Sequence, residues 1–231
     1  MSVTMTLDEV IPLGRSMREY ELMFALTAND LKKNILGCAD GPASFNAEMS
    51  WEGHNVISVD PIYAFDKFEI RNRFYDTLDF VIQQVSATPG DWSWKIHKDP
   101  EDLRRNRITV MECFVVDYEL GKSQGRYRVG TLPNLQFGDK SFELALCSHF
   151  LFLYSNQLDI NFHIEATKEL CRVAEEVRIF PLLGLDCKPS PYLDSVREAL
   201  RMAGMRSEII EVEYEMQRGG NQMIRFFKRP Y

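Results

Sequence analysis

The sequence contains no C-x-x-C pair. Its five cysteines, Cys38, Cys113, Cys147, Cys171 and Cys187, are scattered and odd in number. That spacing argues against a disulfide framework and a structural zinc site, and it fits a reducing, cytoplasmic setting. Cys147-x-His149 with His163 has no carboxylate at metal-ligand spacing, so no metal is expected. Basic charge is not in excess: the formal net charge is −7, whereas nonspecific nucleic-acid binding needs a basic footprint. No apolar run approaches the length of a membrane span. Residues 1–8 are mixed, without the charged-then-apolar order of a secretory signal. Repeats and low-complexity tracts are absent as well. What remains is a chain of 231 residues, 45% hydrophobic and 26% charged, proportions that suit one globular domain over 1–231 with a substantial core.

The most informative stretch is 34–45, Asn-Ile-Leu-Gly-Cys-Ala-Asp-Gly-Pro-Ala-Ser-Phe, followed by Val56-Ile57-Ser58-Val59-Asp60. An apolar run ends in small residues, a helix-compatible segment follows, and a second apolar run ends in an acid. Asp60 lies 19 residues after Gly41. Strand, tight turn, helix, strand and acid is the order by which doubly wound α/β folds hold nucleoside-bearing cofactors. Asp60 at a strand tip is suited to accept from both ribose hydroxyls, and its competing reading is a helix N-cap or surface carboxylate.

The rest of the chain alternates in the same way. Ser16-x-x-Glu19 predicts a capping box opening a helix over 16–28, which either covers the cofactor cleft or packs on the sheet edge. Strands are expected at 34–37, 55–60, 127–129, 142–147, 177–183, 208–214 and 223–227. Helices are expected at 42–50 and 161–173, after Asp66-x-x-Glu69 with Ile70, Phe74, Leu78, Val81 and Val85 in register, and after Ser190-Pro191. Residues 86–126 are the least regular. Asp99-Pro100 starts a helix whose stripe is Ile108, Met111, Val115 and Tyr118, and Gly121 and Gly125 are expected to break it. This stretch reads as an inserted helical cap over one sheet edge, or a plain packing helix. Arg104, Arg105 and Arg107 beside Glu101 and Asp102 read as a solvated helix face. Gly219-Gly220-Asn221 signals a hairpin joining the last two strands. The fold class is therefore α/β, a three-layer Rossmann-like sandwich around a seven-stranded, mostly parallel sheet with an antiparallel C-terminal hairpin.

From about Asn34 to the C-terminus, with only 86–126 lacking an obvious counterpart, the chain resembles the class I S-adenosylmethionine-dependent methyltransferases. Gly37-x-Ala39-x-Gly41 resembles the family's glycine-rich first motif, Asp60 the acid ending its second strand, and 135–146 the segment leading into its fourth strand. Two departures stand out. The family has an acid where Gly37 stands and glycine where Ala39 and Ala43 stand, which leaves recognition of the cofactor's amino-acid end to Asp40 or another group. The resemblance implies S-adenosylmethionine as cofactor, held by Gly37, Cys38, Ala39, Asp40, Gly41, Asp60, Pro61 and Ser148. With Gly130 where an acid is usual, Thr131 and Leu132 would meet the adenine.

No fixed triad is needed when the cofactor is already an activated electrophile. His149, just after the fourth strand, is either the base or a loop- and cofactor-positioning residue. Tyr154 is the second catalytic candidate, and Tyr63 and Tyr192 are further aromatics able to line a pocket. The signature of base-modifying amino-methyltransferases, Asp or Asn followed by two prolines and an aromatic, is replaced by Ser148-His149-Phe150-Leu151. The expected activity is methyl transfer to a small-molecule nucleophile. Two alternatives are a lyase, cyclase or aminocarboxypropyl transferase releasing methylthioadenosine, and a non-catalytic cofactor-binding protein. A nicotinamide enzyme is the weakest rival, because G-x-G-x-x-G is missing. No membrane partner is expected, and the sequence does not specify the oligomeric state.

Overall fold

A computed structural model of the chain describes residues 11–228; the 1–8 segment lies outside the described residues. Seven strands form one sheet: β1 (Ile35–Cys38), β2 (Val56–Val59), β3 (Tyr127–Arg128), β4 (Phe142–Ser148), β5 (Ala174–Phe180), β6 (Arg206–Glu211) and β7 (Gln222–Phe227). Their spatial order is β3-β2-β1-β4-β5-β7-β6. The first five run parallel, and β7 is antiparallel to both β5 and β6. The sheet is thus mostly parallel and closes on an antiparallel C-terminal hairpin. Buried on both faces, β1 has all four residues in the core and β4 nearly so, which explains their unbroken apolar runs.

Helices α1 (Met17–Phe24), α2 (Phe45–Trp51), α3 (Lys67–Ala87) and α4 (Pro100–Ser123) belong to one apolar cluster, and α5 (Ile160–Val173) and α6 (Leu193–Met202) to another. The caps form as their residues dictate. Ser16 and Glu19 make a reciprocal capping box on α1, and Asp66 and Glu69 one on α3. Helix α1 is shorter than expected because Ala25 turns left-handed at φ +46° and closes it. Its C-terminal carbonyl at Phe24 accepts from Arg178 of β5, so the helix is pinned to the sheet. At its other end the Tyr20 ring stacks on Phe45 at 4.2 Å, and Met17 N–H donates to Glu48 of α2.

The region 86–126 differs from a cap laid over a sheet edge. Helix α4 packs against α3, α2 and β3, so α3 and α4 together make the crossover from β2 to β3. Gly121 does not break α4. It lies inside the helix because the ring of Tyr127 and the Arg126 guanidinium occupy the space a side chain would need. The part that reaches over the sheet is the connection before α4. Ser93 N–H donates to Met216 O, Arg218 N–H donates to Asp91 O, and Trp92 pairs with Gln217. The β6–β7 connection is accordingly a long loop over 212–221 and not a tight turn. Strand β5 begins and ends three residues before its expected bounds, ending ahead of Pro181.

Candidate active site

One cavity of about 570 Å3 opens at the carboxyl ends of the parallel strands. Its floor is made by the turns after β1, β2, β3 and β4. Helix α3, Leu103 and Arg107 of α4, residues 11–13 and Arg15, and the 214–217 part of the hairpin loop form the walls. The size falls within the roughly 300–1,000 Å3 usual for small-ligand pockets. Of the expected cofactor residues, Cys38, Ala39, Asp40, Gly41, Asp60, Pro61, Thr131, Leu132 and Ser148 all line it, as do His149 and Tyr154.

Gly37 does not line the cavity. A Cβ on Gly37 would fall 1.8 Å from Asp40 Oδ2, because the Asp40 carboxylate folds back over the strand and fills that volume. There it accepts from Tyr20 Oη at 2.7 Å and from Ser58 Oγ, also at 2.7 Å. Ser58 is the β2 residue in register with Gly37. The turn thus carries a carboxylate over Gly37, delivered from three residues downstream. Burial pushes the Asp40 carboxyl up to about 7, with Asp60 adding to the rise.

The turn itself is left-handed at Ala39 (φ +57°) and Gly41 (φ +55°). Ala39 adopts a conformation better suited to glycine, at a cost of about 1–2 kcal/mol. At Gly41 nothing stands within 4 Å of where a Cβ would be, leaving the backbone open to close approach. Tyr63 Oη donates to the Gly41 carbonyl at 2.7 Å and holds the turn from below. Tyr63 therefore supports the site without lining it, and Tyr192 packs on His163 instead. Both His163 ring nitrogens lie 2.8 Å from backbone carbonyls, those of Asp159 and Leu151, so this ring ties α5 to the β4 loop.

Asp60 combines both of its sequence readings. Oδ1 accepts from Ile62 N–H and caps a 3-10 turn over Pro61–Ala64, and Oδ2 accepts from Gly41 N–H at 2.9 Å. Each oxygen keeps a further lone pair, and the residue faces the cavity. Burial raises its pKa, and the two backbone N–H groups offset part of that rise. Among the described residues neither Asp40 nor Asp60 has an ion-pair partner.

At the far end of the cavity the chemistry changes. His149 sits at φ +51° directly after β4, its ring edge against Phe180 and Tyr214. Its Nδ1 is 2.9 Å from Ser148 Oγ, which leaves Nε2 as the nitrogen available to a ligand. Burial, with the charges of Arg15 and Arg107, holds its pKa well below the usual histidine range and keeps the ring neutral. Tyr154 Oη accepts from Ile11 N–H at 3.1 Å and anchors the segment leading to Arg15.

Sequence reasoning missed the ionic group beside His149. Arg107 is not on a solvated face: it is buried and grips Glu19 with both terminal nitrogens, at 2.6 and 2.9 Å. Tyr214 Oη donates to the same carboxylate. Burial opposes the charge on Glu19, yet Arg107 holds its carboxyl well below the usual range. The available signal was periodicity, because Arg107 falls on the buried stripe of Leu103, Met111 and Phe114. Arg104 and Arg105 do pair at the surface, with Asp79, Glu101 and Asp102.

No family model matches the chain. The chain is 33% identical over 221 residues to the uncharacterized protein MJ0045 of Methanocaldococcus jannaschii, covering 95% of this chain and 97% of that protein. Solved structures similar to it include a TehB-like SAM-dependent methyltransferase from Corynebacterium glutamicum. That match has 15% identity, 91% of this chain and 87% of that one covered, and a TM-score of 0.49. The magnesium protoporphyrin IX methyltransferase of Synechocystis with bound SAH matches at 10% identity, with 92% and 82% covered and a TM-score of 0.48.

Proposed function

We propose that this chain, which belongs to the same family as MJ0045 of Methanocaldococcus jannaschii, is an S-adenosylmethionine-dependent methyltransferase acting on a small-molecule nucleophile. One observation carries the reading: Asp40, Gly41 and Asp60 converge on a single cavity at the carboxyl edge of β1 and β2. That edge is where ligands of open α/β sheets bind.

The residues present fit the cofactor. Asp60 has lone pairs left for the ribose hydroxyls, Thr131 and Leu132 line the same cavity and would meet the adenine, and the open Gly41 backbone would admit the chain between them. Asp40 and Asp60, without cationic partners, supply negative charge for a ligand carrying ammonium and sulfonium groups. Bound there, the cofactor supplies a methyl group already activated on sulfur.

What the protein adds is position, dryness and a proton acceptor. Leu78, Val81, Ile82 and Val85 of α3 form an apolar stretch of wall that limits water around the reacting atoms. Neutral His149, its Nδ1 held by Ser148, presents Nε2 to take the proton from an acceptor hydroxyl, thiol or amine. Tyr154 is a positioning residue through the 11–15 segment.

The test is to titrate SAH and S-adenosylmethionine by calorimetry, then incubate with candidate acceptors and identify the nucleoside product by mass. S-adenosylhomocysteine is the expected product. Methylthioadenosine would replace methyl transfer with chemistry on another arm of the cofactor. Tight binding with no product over a broad acceptor panel would make the protein a non-catalytic binder.

A further inference from the structure

The charged groups of the cavity are unevenly placed. The end formed by β1 and β2 has two carboxylates, Asp40 and Asp60, neither of them ion-paired among the described residues, and α3 adds Asp76 and Arg73, the latter stacked on the Phe65 ring. The end formed by β4, β5 and the hairpin loop is lined by two guanidiniums, Arg15 and Arg107, and the carboxylate that pairs with Arg107, Glu19, does not line the cavity.

Glu19 is committed. Both its oxygens accept from Arg107, Tyr214 Oη and the N–H and Oγ of Ser16 donate to it as well, and the buried His97 Nε2 lies 3.5 Å away. Arg15 is left without a carboxylate among the described residues. One terminal nitrogen donates to the carbonyls of Leu13 and Gly14, and its Nε is buried with no acceptor. The backbone is fixed, because Ser44 N–H donates to Arg15 O and residue 16 caps α1. A buried, positioned guanidinium with an unfilled donor is costly unless something pairs with it. The planar fork of arginine matches a carboxylate or a phosphate.

We propose that the methyl acceptor is a small anionic molecule whose carboxylate or phosphate is held by Arg15, placing its nucleophile beside His149. The inference rests on the cofactor reading above. Arg15 interacts with Arg107, Glu19, Tyr214 and His149, and its backbone is held to the turn after β1 through Ser44 N–H. Arg107 adds to the positive field there without giving up its bond to Glu19. Within this arrangement the acceptor is negative, the cofactor positive, and each meets protein charge of the opposite sign.

The test uses full-length protein saturated with SAH and three probes, benzoate, phenyl phosphate and neutral benzamide, followed by ligand-observed NMR. Benzoate or phenyl phosphate should bind the SAH-loaded protein at least tenfold more tightly than benzamide. Arg15→Gln should lose that anion binding at least tenfold while its affinity for SAH stays within about twofold. Arg15→Lys, which keeps the charge and loses the fork, should fall between and serves if the glutamine variant does not fold. Equal binding of benzoate and benzamide, or no anion binding, overturns the proposal. So does a tenfold loss of SAH affinity in Arg15→Gln, which would assign the guanidinium to the cofactor's own carboxylate. Failure of wild-type protein to bind SAH overturns the cofactor reading instead, and the same probes on unloaded protein then decide Arg15 separately.

Discussion

Asp40 buries a carboxylate between Tyr20 and Ser58, and its titration should be visible in the stability of the whole protein. In the unfolded chain this carboxyl titrates near 3.8, and in the fold burial raises it to about 7. Between those values the folded state binds more protons than the unfolded state. The stability contributed at this site is therefore full below about pH 4, falls as pH rises toward 7, and is level above that. Asp40→Asn should flatten the slope of melting temperature between pH 4 and 7, and an unchanged slope would contradict the burial argument. A cation seated beside Asp40 favours its ionised form, so wild-type protein should release protons on binding S-adenosylmethionine near pH 6. Calorimetry in buffers of different ionisation heat measures this. Asp60→Asn keeps the size of the side chain and removes its charge. It should weaken cofactor binding by roughly 1.5–3 kcal/mol, the range for a hydrogen bond involving a charged group; unchanged affinity would remove Asp60 from the site. Asp60 was legible in sequence because it directly follows an apolar strand. The position of Asp40 over Gly37 was not, since it depends on a left-handed Ala39 that no local pattern demands.

Among the elements, capping boxes and apolar stripes were legible because their signals are local. Ser16 with Glu19 and Asp66 with Glu69 form as their spacing dictates. Helix α4 shows where local reasoning stops. A glycine inside a helix costs about 1 kcal/mol relative to alanine, so Gly121 reads as a break. In the fold, a Cβ there would stand 2.5 Å from Tyr127 Cε2. That ring cannot yield, being packed among Tyr63, Phe114 and Tyr118 with its hydroxyl on Asp117. Gly121→Ala should therefore destabilise the protein by about 1–3 kcal/mol through overpacking, outweighing the propensity gain. Urea denaturation checks the sign, and a more stable variant would show that Tyr127 can move. The β6–β7 hairpin teaches the same lesson. Its glycines marked a turn, but the loop extends over 212–221 because 91–93 hold it across the cavity.

At the scale of the molecule, Glu19 joins three distant parts of the chain: α1, Arg107 of α4, and Tyr214 of the hairpin loop. Arg107→Met should cost about 3–5 kcal/mol, because it strands a buried carboxylate. The double variant Arg107→Met/Glu19→Gln should recover much of that loss in urea denaturation. Additive losses would mean that packing dominates the charge pair. The sequence by itself determined the order of strands and helices, the nucleotide-type turn and the acid after β2. Each of these is written in periodicity and spacing over a few residues. Tertiary structure alone decided which end of the cavity is positive. Arg15, Glu19, Arg107 and Tyr214 are far apart in the chain, and burial selects among charged residues that look alike in sequence. The same holds for Asp40, whose carboxylate fills a space left by a glycine three residues earlier.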